Sequence, residues 1–422
     1  MAGLAACSTG KPGPILSVDA ARLRAVTAAC PVTGLETLSL DAAVGRVTAG
    51  STTAASALPP FDNSAMDGYA LCMSDLAGDG PWRLPVSARI TAGDGRALTL
   101  SAGSVARIFT GAPVPLGADA VVMQEHVTRS GNMITVSRPP RCGQNIRRRG
   151  EDVAQGALAL GAGRALTPQR LALLAGCGVA SVAVRARVRV AILSTGNELA
   201  EPGQPRGPGQ IYNSNRVLLR ATLSRLPWVD LADLGILPDD PGSIRGAIRL
   251  AAKSNDVIIS SGGVSAGEED HILDALRAEA AELDVLKVAI RPGKPLTVGR
   301  LGQALYFGLP GNPYAAAITL SQIARPALNR VAGLTEGTDA WLPAVAGFTY
   351  SRRTGRREYV PVTWSGRDPL GRPIIARLGQ GASASLSPIA QAMGIAVIPQ
   401  DMDVVRPGQP LSVEPLSESA LF

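Results

Sequence analysis

The stretch Asp256–His271, DVIISSGGVSAGEEDH, constrains the fold more than any other part of the chain. Val257, Ile258 and Ile259 are three apolar β-formers without a polar break, which suits a strand covered on both faces. The strand runs into Ser260, Ser261, Gly262 and Gly263, where missing Cβ atoms let the backbone turn sharply and bring N–H groups close to an anion. An amphipathic run from Ile272 to Ala280 then opens a helix, whose first turn carries favourable partial charge for that anion. A tight strand-to-helix turn without ligand is the competing account, because the Gly-Lys-Ser/Thr ending of a nucleotide P-loop and the glycine spacing of a dinucleotide fold are both missing. Glu268, Glu269 and Asp270 suit a phosphate that arrives with a divalent cation such as Mg²⁺, although first-turn carboxylates also stabilise a helix dipole.

Around this stretch, strand and helix signals alternate from 187 to about 336. The strands expected are Val188–Leu193, Trp228–Leu234, Asp256–Ser260, Val285–Ile290 and Ala304–Phe307. The helices expected are Ser214–Leu226, Pro241–Lys253, Ile272–Glu282 and Pro313–Val331, with Asp240 and Pro241 as a cap and first-turn pair. This alternation predicts right-handed crossovers and a doubly wound, mainly parallel sheet with helices on both faces. Ligands of such a sheet gather beyond the carboxyl ends of its strands. The first strand ends in Ser194, Thr195, Gly196, Asn197 and Glu198, the third in the Ser-Ser-Gly-Gly turn, and the last in Leu309, Pro310, Gly311, Asn312 and Pro313. Glycine, hydroxyl, amide and carboxylate groups are therefore expected on one rim.

The flanking regions read differently. Helical periodicity after Ser17 gives way to short extended pieces up to Pro59-Pro60, and residues 61–150 alternate short β runs with turns, as in a small β domain. Thr167 and Pro168 start a helix that ends near Gly176, followed by a strand at Ser181–Val184. The boundaries expected are 16–60 with 151–186 as a discontinuous linking domain, 61–150 as the small β domain, 187–336 as the α/β domain, and 337–422 as a C-terminal β-barrel-like domain. Arg352, Arg353, Arg356 and Arg357 crowd one turn of the last, either as a solvated loop or as a wall facing an anion.

Composition narrows the function. The 422 residues are 46% hydrophobic, enough for several cores, and no apolar run approaches a membrane span. Leu4-Ala5-Ala6-Cys7 superficially resembles a lipoprotein site, but no basic or apolar leader region precedes it, and a disordered lead-in is expected. Five scattered cysteines without a CxxC spacing fit a reducing cytoplasm and give no zinc site. The net charge of +7 comes almost wholly from arginine, with lysine at Lys11, Lys253, Lys287 and Lys294 only. Dispersed basic residues and 4% aromatics argue against a nucleic-acid platform and for an anionic small molecule. His126 and His271 alone make imidazole triads improbable.

Three further stretches carry more polar chemistry than linkers need: PFDNSAMDGYA at 60–70, RIFTGAPVPLGADAVVMQE at 107–125, and GQNIRRRGED at 143–152. With STGNEL, SGGVSAGEED, RPGKP and LPGNP, in this order from residue 16 onward, they resemble the molybdopterin molybdenumtransferase family of molybdenum-cofactor synthesis. The resemblance implies four domains and an elongated homodimer that binds adenylylated molybdopterin and molybdate near the α/β rim. It also implies metal insertion with Mg²⁺-dependent release of AMP. On that resemblance Asp67, Thr110, Asp152, Glu198, Asp270 and Lys287 are catalytic candidates, with Glu198 and Asp270 toward Mg²⁺. Arg147, Asp239, Arg291, Lys294, Ser194, Thr195, Gly196, Ser261, Gly262, Gly263, Ser265, Pro310, Gly311, Asn312 and Pro313 would bind substrate. Asp67 and Asp152 equally suit turns, Thr110 a cap, and Asp239 a helix start.

Two departures stand in the last domain: Pro361 where the family often has arginine, and Ala382 where serine is frequent. Contacts rearranged through Arg357 or Arg377, or a divergent copy, are the two expectations. Arg291 also stands where lysine is common. A molybdopterin adenylyltransferase and a non-catalytic scaffold paralogue are the alternatives. A supplying adenylyltransferase and receiving apo-molybdoenzymes are the partners implied.

Overall fold

The computed structural model of the protein describes residues 15–262, 271–335, 337 and 341–416. The expected roles of Gly263, Ser265, Glu268, Glu269 and Asp270, and the expected lead-in over residues 1–14, lie outside the described residues.

The middle of the chain forms a seven-stranded sheet. Its order is Ile15–Leu16, Glu282–Val288, Pro295–Leu301, Ala304–Leu309, Val257–Ser261, Val188–Thr195, Val229–Leu237. All neighbours are parallel except where Pro295–Leu301 lies antiparallel on both sides. Alternate residues face opposite layers, as the pleat requires. Val190, Ile192, Val257, Ile259, Leu305 and Phe307 enter one core, which also takes Val18, Ala21 and Ala25 from the Val18–Ala28 helix. Ala191, Leu193, Ile258 and Tyr306 enter the other, with Ile244 and Ile248 from Pro241–Ser254 and Ile272 and Leu276 from His271–Ala278. Helices therefore cover both faces, and Asp240 accepts from the Ser243 N–H at 2.7 Å as its cap.

Three readings of this unit are corrected. The strand Pro295–Leu301 was not expected, because Pro292, Gly293, Gly299 and Gly302 break the apolar pattern around it. Glu282 opens a strand instead of closing a helix. The helix before it stops at Ala278 in a Schellman turn, with Ala280 left-handed at φ 56° and the Ala281 and Ala280 N–H groups donating to Leu276 and Arg277 carbonyls. Alanine, a helix former, hides that stop in the sequence. The expected 313–331 helix contains a π segment over Leu320–Ala324. Pro326 has no N–H for the Gln322 carbonyl, and Arg22 Nε donates to that oxygen instead at 2.8 Å.

Residues on either side of the small β sheet pack together. Leu35–Ser39 pairs with Ser181–Arg185, Thr52–Thr53 with Leu158–Leu160, and Ala43, Leu166, Leu174, Val182 and Val184 share one core. Thr167 caps the Pro168–Gly176 helix. The small β domain is a six-stranded sheet of Ala120–Met123, Gly68–Leu71, Val105–Ile108, Trp82–Ile90, Met133–Val136 and Val127–Ser130. In the C-terminal region Arg357–Arg367, Pro373–Arg377, Leu342–Ala346, Pro410–Pro415 and Gly394–Ile398 close into a five-stranded barrel around Val360, Val362, Ile375 and Val413.

Candidate functional site

Parallel strands end on a common rim, and the rim opens into a cleft of about 710 Å³. Glu198, Gly262, Arg291, Lys294, Pro310, Gly311 and Asn312 line it, with Arg356 and Gly381–Ser383 contributed by the C-terminal region. Among the described lining residues three cations face one carboxylate, so the cleft favours an anion.

The rim is tightly fixed. Ser194 and Thr195 are buried at the end of their strand, in register with Ser261 and Leu237 respectively. Asp239 follows two residues beyond Leu237, half-buried beside the cap Asp240. Gly196 has φ 136°, and a Cβ there would come within 2.3 Å of the Glu198 carboxylate, so the glycine makes room for that side chain. Gly262, at φ 90°, donates its N–H to the Leu309 carbonyl at 3.1 Å, tying the Ser-Ser-Gly turn to the Leu-Pro-Gly-Asn-Pro turn. Pro313 is the first helical residue after Asn312.

Asn215, unmarked in the sequence reading, joins the same two turns from the first turn of the Ser214–Ser224 helix. Its Nδ2 donates to Ser261 Oγ at 2.6 Å and to the Gly311 carbonyl at 2.7 Å. Asn213 caps that helix by accepting from the Arg216 N–H. Asn312 Nδ2 donates to Ser383 Oγ at 3.0 Å, and the Tyr314 N–H to the Ser383 carbonyl, which docks the C-terminal region against the rim. Asn-Ser-Asn at 213–215 was the available signal, but side-chain amides also suit caps and turns.

Lys287 does not reach this lining. It is exposed on a strand with two others between it and Val257–Ser261, in register with Pro295 and Ile15. The expectation of contacts through Arg357 is also corrected. Arg357 makes a bidentate pair with Asp19 at 2.9 and 2.6 Å, on a different cleft. Arg377, in contrast, stacks on the Tyr350 ring at 3.9 Å with its Nη2 3.1 Å from the Cβ position of Gly381, a residue of the cleft lining. Arg356 is the arginine of that turn that lines the cleft. Pro361 is buried in the barrel wall opposite Ile395, and Ala382 lines the cleft without a hydroxyl.

A second polar cluster forms on the small β domain, where three stretches far apart in sequence meet. Asn63 and Ser64 pair with Arg147 and Ile146, Arg148 Nη1 donates to Asp62 Oδ2 at 2.7 Å, and the Gly111 N–H donates to the Ser64 carbonyl. Asp67 Oδ1 accepts from the Thr110 N–H and hydroxyl, both at 2.8 Å. Those donors hold the Asp67 carboxyl below the usual range. Beside them Arg107 lies between the rings of Tyr69, at 5.1 Å, and Phe109, at 4.7 Å, and Arg89 covers Phe109 at 4.7 Å. Cross-strand register makes this stack, since Arg107 is opposite both Tyr69 and Arg89. Asp152 is exposed next to the buried Cys177, whose thiol is pushed up by burial and by that carboxylate. None of Asp67, Thr110, Arg147 and Asp152 lines the rim cleft.

A doubly wound α/β sheet with an anion-receptive rim, flanked by a small β domain and a closed barrel, defines a multidomain α/β protein whose site lies at the carboxyl ends of its parallel strands. Comparisons agree. Residues 16–178 match the MoeA N-terminal region (domain I and II), 191–330 a probable molybdopterin binding domain, and 343–416 the MoeA C-terminal region (domain IV). The molybdopterin molybdenumtransferase of Haemophilus influenzae is 35% identical over 409 residues, covering 96% of this chain and 99% of that protein. Molybdopterin molybdenumtransferase 2 of Mycobacterium tuberculosis is 37% identical over 385 residues, 89% of this chain and 94% of that one. The solved molybdopterin biosynthesis MoeA protein of Pyrococcus horikoshii superposes with a TM-score of 0.80 at 26% identity, covering 95% of this chain and all of its own. The chain belongs to the molybdopterin molybdenumtransferase (MoeA) family, and it is a molybdenum transferase of molybdenum-cofactor biosynthesis.

Proposed function

We propose that this transferase inserts molybdenum from molybdate into adenylylated molybdopterin and releases AMP in a Mg²⁺-dependent step. The observation that carries the reading is the rim cleft, where Arg291, Lys294 and Arg356 gather around Glu198. Both substrates are anions, and three cations in one cleft offset the repulsion that would keep them apart. The dithiolene sulfurs are the ligands the metal receives, and molybdate oxygens depart as water. Placement and charge neutralisation are therefore the protein's main contributions.

The donor set suits Mg²⁺, which takes one or two carboxylates with phosphate oxygens and waters and needs no cage of side chains. Among the described residues no three metal-ligating side chains gather, and Glu198 is the carboxylate in the cleft. Glu198, with Asp270, would hold the ion, which would supply charge for the phosphoanhydride being cleaved. Gly262 and Gly311 let backbone approach the phosphates, while Ser194, Thr195, Ser261 and Asp239 shape the rim.

A homodimer completes this reading. The small β domain of a second copy, facing the cleft, would add the Asp67–Thr110 pair, Arg147 and Asp152, which within one chain stand outside it. The domain boundaries are drawn at 16–60 with 151–186, 61–150, 187–336 and 337–422. A cytoplasmic setting, a supplying adenylyltransferase and receiving apo-molybdoenzymes follow from the same reading.

The test is AMP release from adenylylated molybdopterin by purified protein, with and without molybdate and Mg²⁺, beside Glu198→Gln. Release that needs both additions and is lost in the variant is expected. Folded protein that binds the pterin without releasing AMP would instead leave a scaffold.

A further inference from the structure

We propose that Glu358 is a positioning residue for Arg291, and that through it the C-terminal barrel sets the reach of the cleft's guanidinium. The inference rests on the reading of the cleft as the substrate site. Ile290–Arg291 runs parallel to Arg357–Glu358, with Arg291 in register with Glu358. Arg291 Nε lies 3.4 Å from Glu358 Oε1; the arginine side chain is 40% exposed where it lines the cleft, whereas the glutamate side chain is 3% exposed. The guanidinium is thereby divided. Its Nε side faces a buried carboxylate, and its terminal nitrogens remain available to an anion in the cleft. A lysine presents its three N–H donors from a single rotatable ammonium and lacks the planar fork that holds the two contacts apart.

Glu358 is itself held from two sides. The Tyr350 hydroxyl donates to Oε1 at 2.9 Å, and Arg352 Nε stands 3.0 Å from Oε2 as a charge pair without hydrogen-bond alignment. Arg352 is fixed in turn by donating to the Pro399 and Met402 carbonyls at 2.7 and 3.2 Å, and its side chain is 1% exposed. Arg352 offsets the charge of Glu358, so the charge of Arg291 stays uncompensated toward the cleft. Burying a carboxylate between two guanidiniums costs desolvation that a well-packed apolar residue would avoid. The barrel keeps it at the register position that touches a cleft cation. Glu358 lines no part of the cleft itself and acts through Arg291.

The test is steady-state AMP release by the full-length protein, with KM measured separately for molybdate and for adenylylated molybdopterin. Wild type, Glu358→Gln, Arg291→Lys and the double variant are compared. Each single change is expected to raise one of the two KM values about tenfold while kcat moves less than about twofold, and the double variant is expected to be no worse than the singles. The KM that rises identifies which anion Arg291 holds. An unchanged KM in Glu358→Gln, or losses that multiply to about a hundredfold in the double variant, would overturn the proposal. Should Glu358→Gln lose its cooperative melt, Tyr350→Phe takes its place. Its rise in KM is then expected to vanish in the Arg291→Lys background, and a lower Tm with unchanged KM would refute the coupling. Absence of molybdate-dependent release in wild type defeats the underlying reading, and is told apart because it arises before any substitution.

Discussion

At the residue scale the rim depends on side chains whose backbones leave little freedom. Gly196 combines a φ of 136° with a Cβ position within 2.3 Å of the Glu198 carboxylate. Gly196→Ala is therefore expected to lower stability by about 1 kcal/mol through backbone strain and to reduce kcat/KM by at least about tenfold through displacement of Glu198. A melt and a rate measurement separate the two effects; unchanged kcat/KM would mean that Glu198 keeps its place or has no part in the reaction. Glu198, Arg291, Lys294 and Asn312 were legible because each closely follows a strand whose apolar run is plain. Asn215 and Ser383 were not, because their contacts join elements 46 or more residues apart, and which arginine of the 352–357 turn lines the cleft was decided where the C-terminal region meets the rim.

At the element scale, the His271–Ala278 helix follows the glycine-rich stretch, and two devices fix its far end. Glu279 binds Arg249 at 2.6 and 2.9 Å and Arg245 at 2.5 Å, and the two guanidiniums, Arg249 first, hold its carboxyl at about 2. A folded-state value below the unfolded 4.5 means stabilisation that is complete above about 4.5 and lost as pH falls through about 2. Glu279→Gln is expected to melt lower than wild type at pH 7, with the difference shrinking as pH drops from 4.5 toward 2. A gap independent of pH would show that the pair adds nothing. The second device is the Schellman turn at Ala280, whose φ of 56° strains any residue with a Cβ. Ala280→Gly is expected to stabilise by roughly 0.5–1 kcal/mol, read as a higher Tm with unchanged activity. A lower Tm would contradict the left-handed assignment. The π segment at Leu320–Ala324 has the same lesson in reverse. Pro326 announces a broken hydrogen bond in the sequence, but only packing brings Arg22 to the freed carbonyl, across 300 residues.

At the scale of the whole molecule, the rim cleft and the Asp67–Thr110 cluster belong to different sheets. If two copies complete each site, Asp67→Asn and Glu198→Gln should each be inactive alone. Mixed after subunit exchange they should recover roughly a quarter of wild-type activity, since half of the dimers are hybrid and one site in each is intact. No recovery from a mixture proven to exchange would place both residues in one chain's site.

The local pieces were written in the chain: strands from apolar runs, helix starts from Ser17, Thr167 and Asp240, and the turns that carry glycine and carboxylate to the strand ends. These depend on neighbours a few residues away, which a linear reading sees. Long-range packing settled that Pro295–Leu301 enters the sheet antiparallel, that Ile15–Leu16 extends its edge, and which five strands, in which order, close the expected C-terminal barrel. It alone set Glu358 against Arg291 and met residues 62–67 with 110–112 and 145–149. Those contacts are fixed by register and by the burial of long-range surfaces, and neither quantity has a local signature.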